Sequence, residues 1–271
     1  MSNLQLRIIS AIVMAAAVLA LTWIGGLPFR LLSALIAGAV FYEWTRMSRR
    51  SPASGFGLLA EALLAVLLLA LVFGVPALGL LAGIVLAVIV AAAISAQRGA
   101  GQWDASGLAY AALSGFSLAY LRDGDQSGLL AILFLFAVVW TTDIAAYFVG
   151  RAVGGPKLAP SISPGKTQSG ALGGTVGGVA AGLIVATAAG AGNLMFLTLV
   201  ALVLSIVSQA GDLFESWVKR RHGRKDSSQI IPGHGGVMDR VDGLVVAAFA
   251  LYVIGALAAS ADNPAHGLFA G

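Results

Sequence analysis

The sequence predicts an all-α fold, a polytopic integral membrane helical bundle of about nine transmembrane helices. Three observations predict it. Of 271 residues, 59% are hydrophobic and only 10% charged, with a mean hydropathy of +0.92; a soluble domain is nearer half apolar and a quarter charged. The few charges are segregated, leaving apolar runs of about 18 residues or more, the length that spans a bilayer. The connections alternate between short uncharged turns and longer basic loops, as the positive-inside rule requires.

In order, the apolar segments are 8–24, 29–47, 56–73, 77–95, 105–121, 128–150, 169–190, 194–218 and 242–260. The first has one basic residue close before it, Arg7, and no clear small-residue cleavage site. It therefore reads as a retained helix rather than a signal peptide. Gly25-Gly26-Leu27-Pro28, Gly74-Val75-Pro76 and Gly190-Ala191-Gly192-Asn193 are turn formers that end the first, third and seventh segments. The fifth carries Gly107, Gly115 and three serines. With the N-terminus in the cytoplasm, nine spans leave only Arg30 and Arg122 outside, and 14 of the 16 basic residues inside. Dropping one span would put half the chain out of phase. The expectation is therefore a cytoplasmic N-terminus and an external C-terminus.

No connection exceeds about twenty residues, so residues 1–271 read as a single membrane domain. Residues 1–125 supply N-terminal helices, and 126–271 the catalytic helices and cytoplasmic loops. The chain has no cysteine, which excludes disulfides, thiolate metal sites and cysteine nucleophiles. The net charge of +4 follows from cytoplasmic loops rather than from nucleic-acid binding. No internal repeat supports an inverted-repeat transporter.

Ionisable groups inside spans are costly and usually face a cavity or a partner. Asp143 lies seven residues before Gly150, and Asp212 seven before Lys219. Each carboxylate thus sits about 10 Å below the cytoplasmic end of its helix, at matched depth. Ser205, Ser208, Asp212, Glu215, Ser216 and Lys219 recur at three- and four-residue spacing and form one polar stripe. Lipid cannot solvate such a stripe, so it must line a cavity or meet another helix. Asp143, Tyr147 and Arg151 share a second face. Together they predict a hydrophilic funnel open to the cytoplasm.

Two basic loops complete it. Residues 151–167, with Arg151, Lys157, Ser163, Lys166 and Thr167 among glycines, suit phosphate binding. Residues 219–242 carry Lys219, Arg220, Lys225 and Asp226, then Pro232-Gly233-His234-Gly235-Gly236, then Asp239, Arg240 and Asp242. Cations alone would serve to hold a lipid surface; the glycine turn and paired carboxylates ask for more. Clustered carboxylates without cysteine suit Mg²⁺. His222 and His234 lack zinc-site spacing, and His234 reads as a structural or phosphate-contacting group.

From Ser216 to Asp242 the chain resembles the signature of the phosphatidate cytidylyltransferases, the CDP-diacylglycerol synthases. Gly211-Asp212-Leu-Phe-Glu215, Asp143-Ile-Ala-Ala-Tyr147-Phe-Val-Gly150-Arg151 and Ser163-Pro-Gly-Lys166-Thr167 are similar to the family as well. The first half of the chain resembles it only in hydropathy. The resemblance implies that CTP and phosphatidic acid give CDP-diacylglycerol and pyrophosphate at the cytoplasmic face of a bacterial inner membrane. It implies Mg²⁺, with K⁺ nearby, and a homodimer, with no nucleic-acid partner. Asp212 and Asp239 would be the main metal carboxylates, joined by Asp242. Lys219, Arg220, Lys225 and Asp226 would act with them. Lys166, Ser163, Thr167, Ser216, His234, Gly235, Gly236, Arg240, Asp143 and Tyr147 would bind substrate. One departure stands out: the family usually has Trp-Glu-Gly where this chain has Gln168-Ser169-Gly170. The competing expectations are a CTP-dependent lipid kinase of the polyprenol or phytol type and an ion-coupled transporter.

Overall fold

Helices dominate the computed structural model, which describes residues 3–48, 55–98, 101–122, 124–231 and 233–269. Pro232 of the glycine turn, and Arg49 and Arg50, two of the 14 basic residues assigned inside, lie outside them. Among the described residues nine long helices form where the nine apolar segments were expected. They are α1 (Asn3–Ile24), α2 (Gly26–Ser48), α3 (Gly55–Val72), α4 (Ala77–Gln97), α5 (Trp103–Arg122), α6 (Gln126–Val153), α7 (Gln168–Ala188), α8 (Leu194–Arg221) and α9 (Met238–Ala258). A short α10 (His266–Phe269) follows. The basic stretch before α7, expected as a loop, instead contains an antiparallel hairpin, β1 (Lys157–Ala159) and β2 (Ser163–Thr167).

Six of these helices, α2, α4, α6, α7, α8 and α9, are long and apolar enough to cross a membrane. The protein is an integral membrane protein. Shorter apolar stretches, Ile8–Ile24 and Leu58–Val72, occupy α1 and α3. The low hydropathy of α5 has a physical cause. It is buried along most of its length, through Leu108, Ala111, Phe116 and Leu118, and so faces protein rather than lipid. Its Ser114 and Ser117 hydroxyls donate back to Tyr110 O (2.6 Å) and Leu113 O (2.8 Å), which removes their polarity from the packed surface.

The chain divides into two units, Met1–Tyr120 with Asp226–Arg240, and Leu121–Lys225 with Val241–Gly271. In the first, the core centres on Trp44 of α2, 1% exposed, whose indole N–H donates to Trp103 O (2.8 Å). Its ring lies 5.5 Å from that of Tyr110, and Gly107 leaves the space it fills. The 226–240 segment turns sharply between Ile231 and Gly235, where Gly233 and Gly235 adopt positive φ that other residues resist.

The second unit is built on glycine. Gly170, Gly174, Gly178 and Gly182 of α7 are buried at every fourth position. A Cβ on Gly174 would meet Thr142 O at 2.7 Å, and one on Gly170 would meet Ala146 O at 2.7 Å. The backbones of α6 and α7 are therefore in direct contact, the way helices associate where lipid offers no hydrophobic drive. Across α8 and α9 the same device works in both directions. Gly211 abuts Asp242 O, and Gly243 abuts Ser208 O.

Candidate active site

Within the second unit a cavity of about 570 Å³ opens between α6, the hairpin, α7 and α8. The close α6–α7 contact makes one wall. Asp143, Tyr147 and Arg151 come from α6, one turn apart, so the predicted shared face is real and lines the cavity. The side chain of Asp143 is exposed to it. Arg151 Nη1 donates to Tyr147 Oη at 2.9 Å. Lys157 and Lys166 enter from the hairpin, and Asp212 and Gln209 from α8.

The polar stripe of α8 points inward as expected. Ser205, Ser208 and Glu215 are buried, and Ser205 Oγ lies 2.8 Å from Thr142 Oγ1 of α6. At the cavity, Lys166 Nζ is ion-paired with Asp212 Oδ2. Ser216 Oγ donates to Asp212 Oδ1 at 3.4 Å. One turn further on, Lys219 pairs with the buried Glu215 at 3.3 Å. Asp143 and Asp242 lie near enough to Asp212 to interact with its charge. In the second unit, carboxylates from α6, α8 and α9 therefore interact through Asp212, with Lys166 beside Asp143 and Asp212 and Lys219 nearer Asp242.

Thr167 closes β2 and caps α7, its Oγ1 accepting from Gly170 N at 3.1 Å. This cap aligns the lysine before it with the cavity, because Lys166 is fixed between a strand and a helix start. Ser163 starts β2 opposite Ala159 and does not line the cavity. Arg220 Nε donates to Ile162 O of the hairpin at 3.4 Å, and Lys225 is exposed. Ser169, where the family usually has glutamate, donates its hydroxyl to Gly154 O and lies 3.1 Å from Thr167 Oγ1. At this position the chain ties the start of α7 to the end of α6.

The other expected residues belong to the first unit. Asp226 and Arg240 are exposed. His234 Nδ1 lies 2.9 Å from Ser10 Oγ of α1. Asp239 Oδ2 accepts from Ser227 N (3.0 Å), Ser227 Oγ (2.9 Å) and Gly236 N (2.9 Å), so Gly236 contributes a backbone donor. Gly235 supplies the positive φ of the turn. Sequence reasoning passed over two residues. Gln209 sits three positions before Asp212, a spacing that puts it on the same face, and Glu43 is an ionisable residue inside the segment 29–47.

Among the described residues no group of three or more His, Asp or Glu side chains is arranged to hold a metal by itself. The donor chemistry fits Mg²⁺ nonetheless: around Asp212 it is carboxylate and hydroxyl oxygen with no sulfur, and the carboxylate already attracts a cation. Mg²⁺ commonly keeps waters and takes only one or two protein carboxylates plus phosphate oxygens.

The family model described as "Cytidylyltransferase family" matches residues 5–258. The chain belongs to that family. Over 264 residues it is 50% identical to a phosphatidate cytidylyltransferase of Brucella suis, covering 97% of each chain. The phosphatidate cytidylyltransferase of Bacillus subtilis is 41% identical over 138 residues, 51% of each chain. That of Haemophilus influenzae is 42% identical over 125 residues, 44% of this chain and 43% of its own. The first relative extends the likeness through the N-terminal helices, where the sequence motifs had shown only hydropathy.

Proposed function

We infer that the chain is a CTP:phosphatidate cytidylyltransferase, forming CDP-diacylglycerol and pyrophosphate. The observation that carries this reading is the cavity itself, where Arg151, Lys157 and Lys166 face the carboxylates of Asp143 and Asp212. Such mixed charge suits a polyanion accompanied by a metal ion. The full-length likeness to a phosphatidate cytidylyltransferase supports it.

The phosphate of phosphatidic acid is ionised at neutral pH and needs no strong base. One of its oxygens attacks the α-phosphorus of CTP; the bond to the bridging oxygen of the β-phosphate breaks, and pyrophosphate leaves. The chain's task is to bring two polyanions together and to stabilise the departing charge. Lys166, with Lys219, Arg220 and Lys225, supplies positive charge. Asp143, Tyr147, Ser163, Thr167, Ser216, His234, Gly235, Gly236 and Arg240 are our proposed substrate contacts. Asp212 and Asp239 are our proposed Mg²⁺ carboxylates, with Asp242 in support and Asp226 assisting, each on its place in the family pattern. When bound, Mg²⁺ would supply charge neutralisation on CTP phosphates, and K⁺ would add to it. We further propose nine spans, a cytoplasm-facing site in a bacterial inner membrane, and a homodimer.

Isotope placement tests the reaction. Purified protein given phosphatidic acid and Mg²⁺ should move label from the α-phosphate of CTP into lipid and release γ-label as pyrophosphate. Label from the γ-phosphate in the lipid would instead mean a CTP-dependent lipid kinase.

A further inference from the structure

Glu43 is fully buried, 0% exposed, inside α2. Four donors from residues 227–238 converge on its carboxylate. Oε1 accepts from Ser228 Oγ (2.6 Å) and Val237 N (2.9 Å). Oε2 accepts from Ser227 Oγ (2.9 Å) and Met238 N (2.7 Å). Both ends of the turn are thus tied to one side chain far away in sequence. Gly236 completes the fit, since a Cβ there would lie 2.6 and 2.7 Å from the two Glu43 oxygens.

The same segment holds Asp239. Ser227 Oγ lies 2.9 Å from both Glu43 Oε2 and Asp239 Oδ2, with a single proton to share between them. Ser227 N and Gly236 N orient the Asp239 carboxylate further. Burying a carboxylate is costly unless it is well hydrogen-bonded, and four donors around one group are a strong, specific cage. A structural role in helix packing would need no such convergence. An apolar side chain would fill the space in α2 more cheaply.

We propose that Glu43 is a positioning residue for the reaction: it fixes residues 227–238 and, through Ser227, sets the aim of the Asp239 carboxylate. The effect on metal use rests on the reading of Asp239 as a Mg²⁺ ligand. Glu43→Gln is the informative change. It keeps the volume of the side chain, but its amide nitrogen presents hydrogens to donors that need an acceptor. Ser228→Ala removes one of the four bonds and leaves α2 untouched.

The test uses the full-length protein in detergent, with two readouts: amide hydrogen exchange of residues 226–240, and turnover as a function of Mg²⁺. Glu43→Gln should speed exchange of the segment by about tenfold or more and raise half-saturating Mg²⁺ in the same direction, whereas a purely structural defect would lower only the active fraction. Ser228→Ala should do the same by a smaller factor, and it decides the matter should Glu43→Gln not fold. Parental exchange rates in these variants would overturn the proposal. So would loosened exchange with an unchanged Mg²⁺ dependence, if Asp239→Asn does raise that dependence. Should Asp239→Asn leave half-saturating Mg²⁺ unchanged while Glu43→Gln frees the segment, the metal assignment of Asp239 falls and the anchoring by Glu43 stands.

Discussion

Lys166 and Asp212 are 46 residues apart in the chain and form an ion pair at the cavity. Their side chains are 29% and 25% exposed, so solvent screens the pair and its contribution to stability is small. Its value is in placing opposite charges where phosphates would arrive. Lys166→Met and Asp212→Asn should each lower kcat/KM by about 100-fold or more, with little change in Tm. Steady-state kinetics beside thermal unfolding would show it. Unfolding of either variant at the temperature of the assay would count against this account.

The α6–α7 contact leaves no room for a side chain at Gly174. Gly174→Ala should destabilise the protein by about 1–3 kcal/mol, because its methyl would press on Thr142 O and Ala146. Gly192→Ala, where a Cβ would meet nothing within 4 Å, is the control and should be neutral. Detergent unfolding curves of the two should separate clearly.

Ser169 ties the start of α7 to the C-cap of α6 through Gly154 O. Ser169→Ala should cost about 1 kcal/mol of stability and less than about tenfold in turnover. A loss as deep as that of Asp212→Asn would mean that Ser169 takes part in the chemistry.

Asp125 caps α6. Hydrogen bonding from Ser127 N, helped by His266 at 3.2 Å, holds its carboxyl below the usual carboxylate range. The folded form therefore favours the ionised carboxylate. That contribution is present above about pH 4, the ordinary value, and is lost as pH falls through the lower folded value. Asp125→Asn should differ from the parent in Tm at pH 6, and the difference should shrink as the pH is taken down below about 4. A difference that widened on acidification would have the wrong sign.

A reporter fused after residue 271 should read external if all nine long helices cross, because an odd number of spans separates the two ends. A cytoplasmic reading would remove one span, and α5 would be the first suspect, since it faces protein.

Hydropathy announced the helices because lipid-facing residues must be apolar along whole turns, and matched depth announced that Asp143 and Asp212 share a cavity. Other features were hidden for physical reasons. Gly170, Gly174, Gly178 and Gly182 add nothing to hydropathy, although their four-residue spacing was open to view. The strands of residues 157–167 are short and rich in Gly, Pro and Ser, which read as loop. The bonds of Ser227 and Gly236 to Asp239 depend on a turn whose geometry no local pattern encodes. Glu43 lay in an apolar segment close to its end, where a charge passes for a boundary residue.

The glycine-to-backbone seam between α6 and α7 also sets how the site behaves with temperature. Association in water weakens on cooling because the gain from expelling water from apolar surface fades. Two helices already in lipid expel little water when they dock, and their attraction comes from atoms in close contact. The wall that carries Asp143 and Tyr147 should therefore lose less of its packing on cooling than a contact held together by expelled water would.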